Sequence, residues 1–133
     1  MEPSKQHKYE VWASNLLYLT FVVSLVTDFI LKCGYFAPHK SGSQLVMLYV
    51  ITPFLLFVYY KIRQGVKGAK TLFLACYALV VFQIISDGLS PAAYDTELKA
   101  FSLAAQHTSQ ILACLFILLS LRTPASKQPA TVR

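Results

Sequence analysis

The residues of this chain best able to do chemistry are the few polar side chains that interrupt its long apolar runs. Asp28 stands near the end of one run, and His107 lies inside another, with Gln106 beside it. Polar groups in hydrocarbon cost free energy unless they are paired or hydrated. The pattern therefore predicts a polar cavity lined by Asp28, Gln83, Gln106, His107 and Gln110. A carboxylate and an imidazole in such a cavity could relay a proton or bind a cation.

The same residues also have a structural interpretation. Lys32 follows Asp28 by one helical turn, so the two could form an ion pair at a membrane surface. Ala105, Ser109 and Ala113 repeat at four-residue spacing, which is typical of a small-residue ridge where another helix packs closely. On this interpretation the neighbouring glutamines hydrogen-bond across a helix contact, and both interpretations stay open.

The chain lacks the residue patterns that metal binding, haem ligation and disulfide exchange require. His107 is the only histidine inside an apolar run, so it can form neither a haem ligand pair nor a histidine metal cage. The cysteines form no Cys-x-x-Cys motif: Cys33, Cys76 and Cys114. The acidic residues and histidines have no spacing known for hydrolysis or phosphoryl transfer. We therefore expect no metal, no cofactor and no enzymatic activity.

The composition indicates that these residues are held in a membrane. The chain has 133 residues, of which 56% are apolar and 14% are charged, and a mean hydropathy of +0.52. This excludes an ordinary soluble enzyme. Crossing about 30 Å of hydrocarbon takes roughly 20 apolar residues in a helix. Four runs come close to that length, over residues 12–31, 43–60, 69–86 and 100–121.

These runs predict an all-α fold, an integral membrane four-helix bundle. They lack the period-two alternation of a membrane β-strand, and glycines and prolines cluster between them. Pro53 is the one proline inside a run, and we expect it to kink the second helix. The domain organisation is then a cytoplasmic segment over residues 1–11, a membrane domain over 12–122 and a disordered cytoplasmic tail over 123–133.

The positions of the basic residues predict that both chain ends are cytoplasmic. With the N-terminus inside, nine lysines and arginines lie on the inner side: Lys5, Lys8, Lys61, Arg63, Lys67, Lys70, Arg122, Lys127 and Arg133. Only Lys32, Lys40 and Lys99 lie on the other side. Lysine and arginine are enriched in cytoplasmic loops. The net charge of +6 is thereby explained by topology, and no nucleic-acid partner is expected.

The loop over residues 61–70 carries four cations and no anion. We expect them to lie on anionic lipid head groups: Lys61, Arg63, Lys67 and Lys70. An acidic cytoplasmic partner is the alternative. On the other side, Cys33 would be free within one chain, and cross-linking or modification there stays open.

The layout resembles the small bacterial inner-membrane proteins with four helices whose second and third spans are joined by a short, basic, glycine-containing loop, here residues 61–70. The resemblance covers nearly the whole chain. It implies a multi-pass bundle in a bacterial inner membrane, and it carries over no functional residue.

Two functions compete at this point. The first is a non-catalytic membrane protein that acts by lateral helix contacts with a membrane-protein partner or a second copy, as an accessory subunit or an immunity-type factor. The second is a small oligomeric transporter, coupled to protons or cations through Asp28 and His107. The absence of a recognisable catalytic arrangement favours the first.

Overall fold

A computed structural model describes residues 4–31, 42–88 and 97–123, and all of their regular structure is helical. Three helices are long and apolar enough to cross a membrane, over Lys5–Leu31, Lys67–Ser86 and Glu97–Arg122. The predicted helical class is confirmed for these parts of the chain. Cys33, Lys32 and the tail from residue 124 onward lie outside the described residues.

The helices are α1 (Lys5–Leu31), α2 (Gly42–Val46), α3 (Thr52–Arg63), α4 (Lys67–Asp87) and α5 (Glu97–Arg122). α1 begins well before the predicted span, because the residues ahead of Trp12 contain no glycine or proline after Pro3. The Ser4 hydroxyl caps its first turn by accepting a hydrogen bond from the His7 backbone N–H at 3.3 Å.

The second predicted span is a segmented helix rather than one regular rod. A π-helical segment, Met47–Ile51, separates α2 from α3, and Pro53 lies in the first turn of α3. Proline has no N–H and its ring crowds the preceding turn, so regular α-helical hydrogen bonding cannot run through this position. The π turn lies immediately before Pro53, so the second predicted span departs from regular α-helical hydrogen bonding next to this residue.

The bundle is organised around α1, which packs mainly against α5 and next against α3. α4 packs against α3 and touches α5 only slightly. Two contacts show that α1 and α5 are antiparallel, since Glu10 lies beside Ser120 and Thr27 lies beside Ser102. The bundle therefore has one end where α1 and α4 begin, which we call the basic end, and an opposite end where they finish.

The core is small and lies towards the basic end. Its buried apolar residues come from four helices: Ala13, Leu17, Val58, Tyr59, Ile62, Ala69, Phe73, Ala113 and Ile117. A row of aromatic contacts crosses it, with Tyr59 lying 5.8 Å from Tyr18 and 6.1 Å from Phe73 between ring centroids. The Ser14 hydroxyl also donates a 3.0 Å hydrogen bond to the Tyr59 carbonyl. These contacts hold α1, α3 and α4 together.

Candidate functional sites

A buried ion pair lies at the basic end of the bundle. The Lys70 ammonium donates hydrogen bonds to the Glu10 carboxylate and, at 2.7 Å, to the Ser120 hydroxyl. Lys70 and Ser120 are fully buried, and Glu10 is 4% exposed. The pair thus joins α1, α4 and α5 through groups that are costly to bury singly.

Two more residues complete this Glu10–Lys70 cluster. His7, one turn before Glu10 on α1, places its Nδ1 3.6 Å from the second carboxylate oxygen. Gly65 closes the other side of the carboxylate, since a Cβ built there would lie 2.9 Å from Glu10 Oε2. We define the cluster as His7, Glu10, Gly65, Lys70 and Ser120.

Gly65 is held against the carboxylate by the way α3 ends. Its φ is +79°, and its N–H donates to the Ile62 carbonyl at 2.9 Å while the Val66 N–H donates to the Lys61 carbonyl at 3.1 Å. This is the hydrogen-bond pattern of a Schellman motif, which needs a left-handed residue after the helix. The chain can therefore reverse into α4 within three residues and bring Lys70 to Glu10.

Gly65→Ala should destabilise the bundle by about 1–2 kcal/mol, the ordinary strain of a left-handed alanine, with further loss if the carboxylate moves. The measurement is the free energy of unfolding in mixed micelles of mild detergent and SDS. Gly68→Ala is the matched control, because nothing lies within 4 Å of a Cβ there and Gly68 is helical. Equal stability of the two variants would contradict the role given to Gly65.

The four cations of the basic loop divide into two kinds. Lys61 lies over the Phe57 ring at 5.4 Å, and Arg63 and Lys67 are exposed. These three side chains are placed where head groups could reach them. Lys70 differs from the expectation, because its ammonium is buried on Glu10 and cannot also lie on lipid head groups.

A hollow of about 220 Å³ lies near the opposite end, between α1 and α5. Its lining combines opposite charges, polar groups and apolar walls: Thr27, Asp28, Leu31, Lys99, Ser102, Leu103 and Gln106. The Thr27 hydroxyl donates to Ser102 Oγ at 2.8 Å, and the Gln106 amide donates to the same oxygen at 2.9 Å. These hydrogen bonds join α1 to α5 next to Asp28 and Lys99.

The hollow contains only part of the cavity predicted from the sequence. Asp28 and Gln106 line it, whereas Gln83, His107 and Gln110 are not among its lining residues. Gln83 is exposed on α4, and His107 and Gln110 are half-buried on α5. A short step along α5 turns a side chain to another face, so neighbours of Gln106 in sequence need not share its surroundings.

The predicted small-residue ridge has a buried end and a half-buried end. Ala113 is fully buried in the core, and Ala105 and Ser109 are half-buried. α5 makes most of its helix contacts with α1. α1 presents small residues of its own to the core, including Ala13 and Ser14, and small residues let helix backbones approach closely.

Sequence reasoning missed Glu10 and Ser120. Glu10 precedes the apolar run, where a carboxylate is ordinarily a surface group. One signal was available, because Glu10, Ala13, Leu17 and Thr20 recur at the three- and four-residue spacing of one helix face, and all four are buried. Because Glu10 lies on the helix face that packs into the core, its carboxylate is expected to need a cationic partner there.

Within the three described stretches no group of three or more histidine, cysteine, aspartate or glutamate side chains could hold a metal ion. The Glu10–Lys70 cluster is buried and can fasten helices, whereas the hollow lies at the surface of the described helices.

No protein family model, no curated protein and no solved structure matches this chain.

Proposed function

We propose that the chain is a non-catalytic, multi-pass protein of a bacterial inner membrane, with both ends in the cytoplasm, that acts by lateral helix contacts. Three long apolar helices support the membrane location. The orientation is supported by the meeting of Lys5, Arg63, Lys67 and Arg122 at one end of the bundle, as the enrichment of basic residues on the cytoplasmic side requires. Accessory subunits and immunity-type factors are proteins of this kind.

The observation that carries the lateral-contact function is the exposed surface of α4. Among the described side chains of this helix, the buried ones are Ala69, Lys70 and Phe73, all near its start. Further along, Leu79, Phe82 and Ile85 are 69%, 70% and 77% exposed. Leu74 and Tyr77 still pack against the core, so it is the part of α4 beyond Tyr77 that offers an exposed apolar face to another membrane helix.

Gln83 gives this face a means of recognition. Its side chain is exposed between those apolar residues, within the apolar stretch of α4. An amide in hydrocarbon gains by hydrogen bonding across a helix contact, by about 0.6–2 kcal/mol in membranes. Lipid tails cannot make that bond. The partner is therefore a membrane helix with a polar group at matching depth, on another protein or on a second copy of the chain.

Photo-crosslinking in intact cells tests this proposal. A photoreactive amino acid replaces Phe82 on α4, and the matched control replaces Phe101 on α5, which is 71% exposed. We expect one discrete protein adduct from position 82 and none from position 101. Gln83→Leu should lower the yield of the adduct at least about threefold, the ratio that corresponds to the weaker end of such bonds.

Mass spectrometry of the adduct separates a partner protein from a second copy. Lipid adducts alone from position 82, or the same adducts from both positions, would contradict the proposal. So would an adduct whose yield does not change with Gln83→Leu.

A transporter that uses Asp28 and His107 has weaker support. Lys99 shares the hollow with Asp28 and opposes the entry of a cation there. His107 does not line the hollow, so the two residues proposed to relay a proton do not share this site.

A further inference from the structure

A heptad pattern runs along the exposed side of α4. Five exposed side chains are separated by alternating steps of four and three residues: Leu72, Cys76, Leu79, Gln83 and Ser86. Such steps place residues on one stripe of a helix, and they are the spacing of the a and d positions in a coiled coil. We call these five residues the α4 seam.

The seam lies away from the residues that hold α4 in the bundle. Those residues are either buried or packed against the core: Ala69, Lys70, Phe73, Leu74 and Tyr77. From the angle between successive residues of a helix, their mean direction lies about 130° around the helix axis from the seam. Packing in the bundle and contact through the seam are therefore compatible.

The seam also carries the polar side chains of the outer part of α4. Between Tyr77 and Asp87 the helix has two polar side chains, Gln83 and Ser86, and both belong to the seam. Gln83 follows Cys76 by one heptad, so the two occupy equivalent positions, taken here as a positions. A single polar residue at an a position fixes the register and the number of helices in a coiled coil.

A second copy of the chain matches this seam without any further requirement. Two copies inserted in the same orientation meet about a two-fold axis along the membrane normal, so each residue on the axis faces its own counterpart at the same depth. The Gln83 amide both donates and accepts, so two copies can exchange hydrogen bonds there. No like charges are brought together along the seam, because α4 has no charged residue between Lys70 and Asp87.

We propose that α4 pairs in parallel with α4 of a second copy, with the two Gln83 amides facing each other and the two Cys76 thiols facing each other. Leu72, Leu79 and Ser86 occupy the d layers of this contact. The proposal rests on the lateral-contact function proposed above and names its partner.

Oxidative cross-linking in membranes tests which residues face each other. Cys33→Ser and Cys114→Ala leave Cys76 as the only cysteine of the full chain, and copper phenanthroline with molecular oxygen oxidises thiols that meet. Two cysteines can be bridged only when their Cα atoms lie within about 7 Å. We expect a disulfide-linked dimer from Cys76. We also expect one from Leu79→Cys when Cys76→Ala is added.

Ala78→Cys in the same background is the matched control. Ala78 is exposed on the same helix, but it points about 120° away from the seam. It should therefore give little or no disulfide-linked dimer, although lipid and oxidant reach it equally well.

Gln83→Leu measures the contribution of the amide pair. Sedimentation equilibrium of the purified full chain in mild detergent gives the dissociation constant of the dimer. We expect Gln83→Leu to raise it about three- to thirtyfold, the range of polar contacts between membrane helices. Gln83→Asn keeps an amide and should raise it less. Gln64→Leu is the control, because Gln64 is exposed and outside α4, and it should change nothing.

Equal dimer yields from positions 76 and 78, or no dimer from positions 76 and 79, would overturn the pairing. An unchanged dissociation constant in Gln83→Leu would also overturn it. A photo-adduct from position 82 to a different protein, without a disulfide from Cys76, would leave the lateral-contact function in place and remove the second copy as its partner. Lipid adducts alone from position 82, again without a disulfide, would remove both proposals.

Discussion

Replacing Glu10 by Gln is expected to lower the free energy of unfolding by about 3–5 kcal/mol. The variant leaves the fully buried ammonium of Lys70 without its counter-charge. The amide can still accept a hydrogen bond, but it does not compensate a cation removed from water. Circular dichroism of the purified protein, followed as the mole fraction of SDS is raised in mixed micelles, measures the loss.

The double variant Glu10→Gln with Lys70→Met separates charge from shape. Removing both charges eliminates the unpaired cation, so most of the lost stability should return. Glu97→Gln is the matched control, since Glu97 is an exposed carboxylate at the start of α5. A double variant as unstable as Glu10→Gln alone would show that the cost does not come from an uncompensated charge.

The second large effect is expected from Leu17→Ala, with a loss of about 2–3 kcal/mol. Leu17 is fully buried on α1, within the cluster that contains Ala113 and Ile117 of α5. Lipid tails are as apolar as leucine, so the loss comes from the cavity rather than from transfer out of water. This is why the expected value lies in the lower part of the range for leucine-to-alanine changes.

Leu19→Ala on the same helix gives the matched comparison. Leu19 is 51% exposed, so its truncation opens no cavity in the core and should change the free energy of unfolding by less than about 0.5 kcal/mol. The same SDS titration measures both variants. If Leu17→Ala and Leu19→Ala lowered the free energy of unfolding by similar amounts, α1 would not pack into the core through the face that contains Leu17.

Different polar contacts join the helices at the two ends of the bundle. At the basic end, Glu10 and Lys70 fasten α1 to α4, and Ser120 adds α5. At the opposite end, Thr27 and Ser102 join α1 to α5. α4 has no buried residue in its outer part among those described. Under the function proposed above, this asymmetry would let the outer part of α4 contact a partner while the other helices stay packed.

Local sequence was enough to locate the long helices. The runs predicted over residues 12–31, 69–86 and 100–121 lie inside α1, α4 and α5. An uninterrupted apolar segment satisfies its own backbone hydrogen bonds only as a helix, so its place depends on residues close together in the chain. The disturbance at Pro53 was predictable for the same reason, because the missing N–H belongs to the residue itself.

Site composition could be predicted only in part. Asp28 and Gln106 meet at the hollow, as their expected depth in the bilayer allowed. Gln83 and His107 do not join them there, because equal depth does not give two helices a common face. The rotation of each helix about its axis is set by packing against its neighbours.

The sequence by itself determined which segments are helical, which are apolar enough to span a membrane and where the basic residues gather, since each depends on local composition. The tertiary structure alone decided that Glu10 and Lys70, 60 positions apart, form a buried pair, and that Asp28 and Lys99 share an open hollow. A charge at the end of an apolar run can face water, lipid head groups or a partner side chain at similar cost to the isolated helix. Only the packing of the helices at the basic end removes that choice for Glu10 and Lys70, by burying the two charges together.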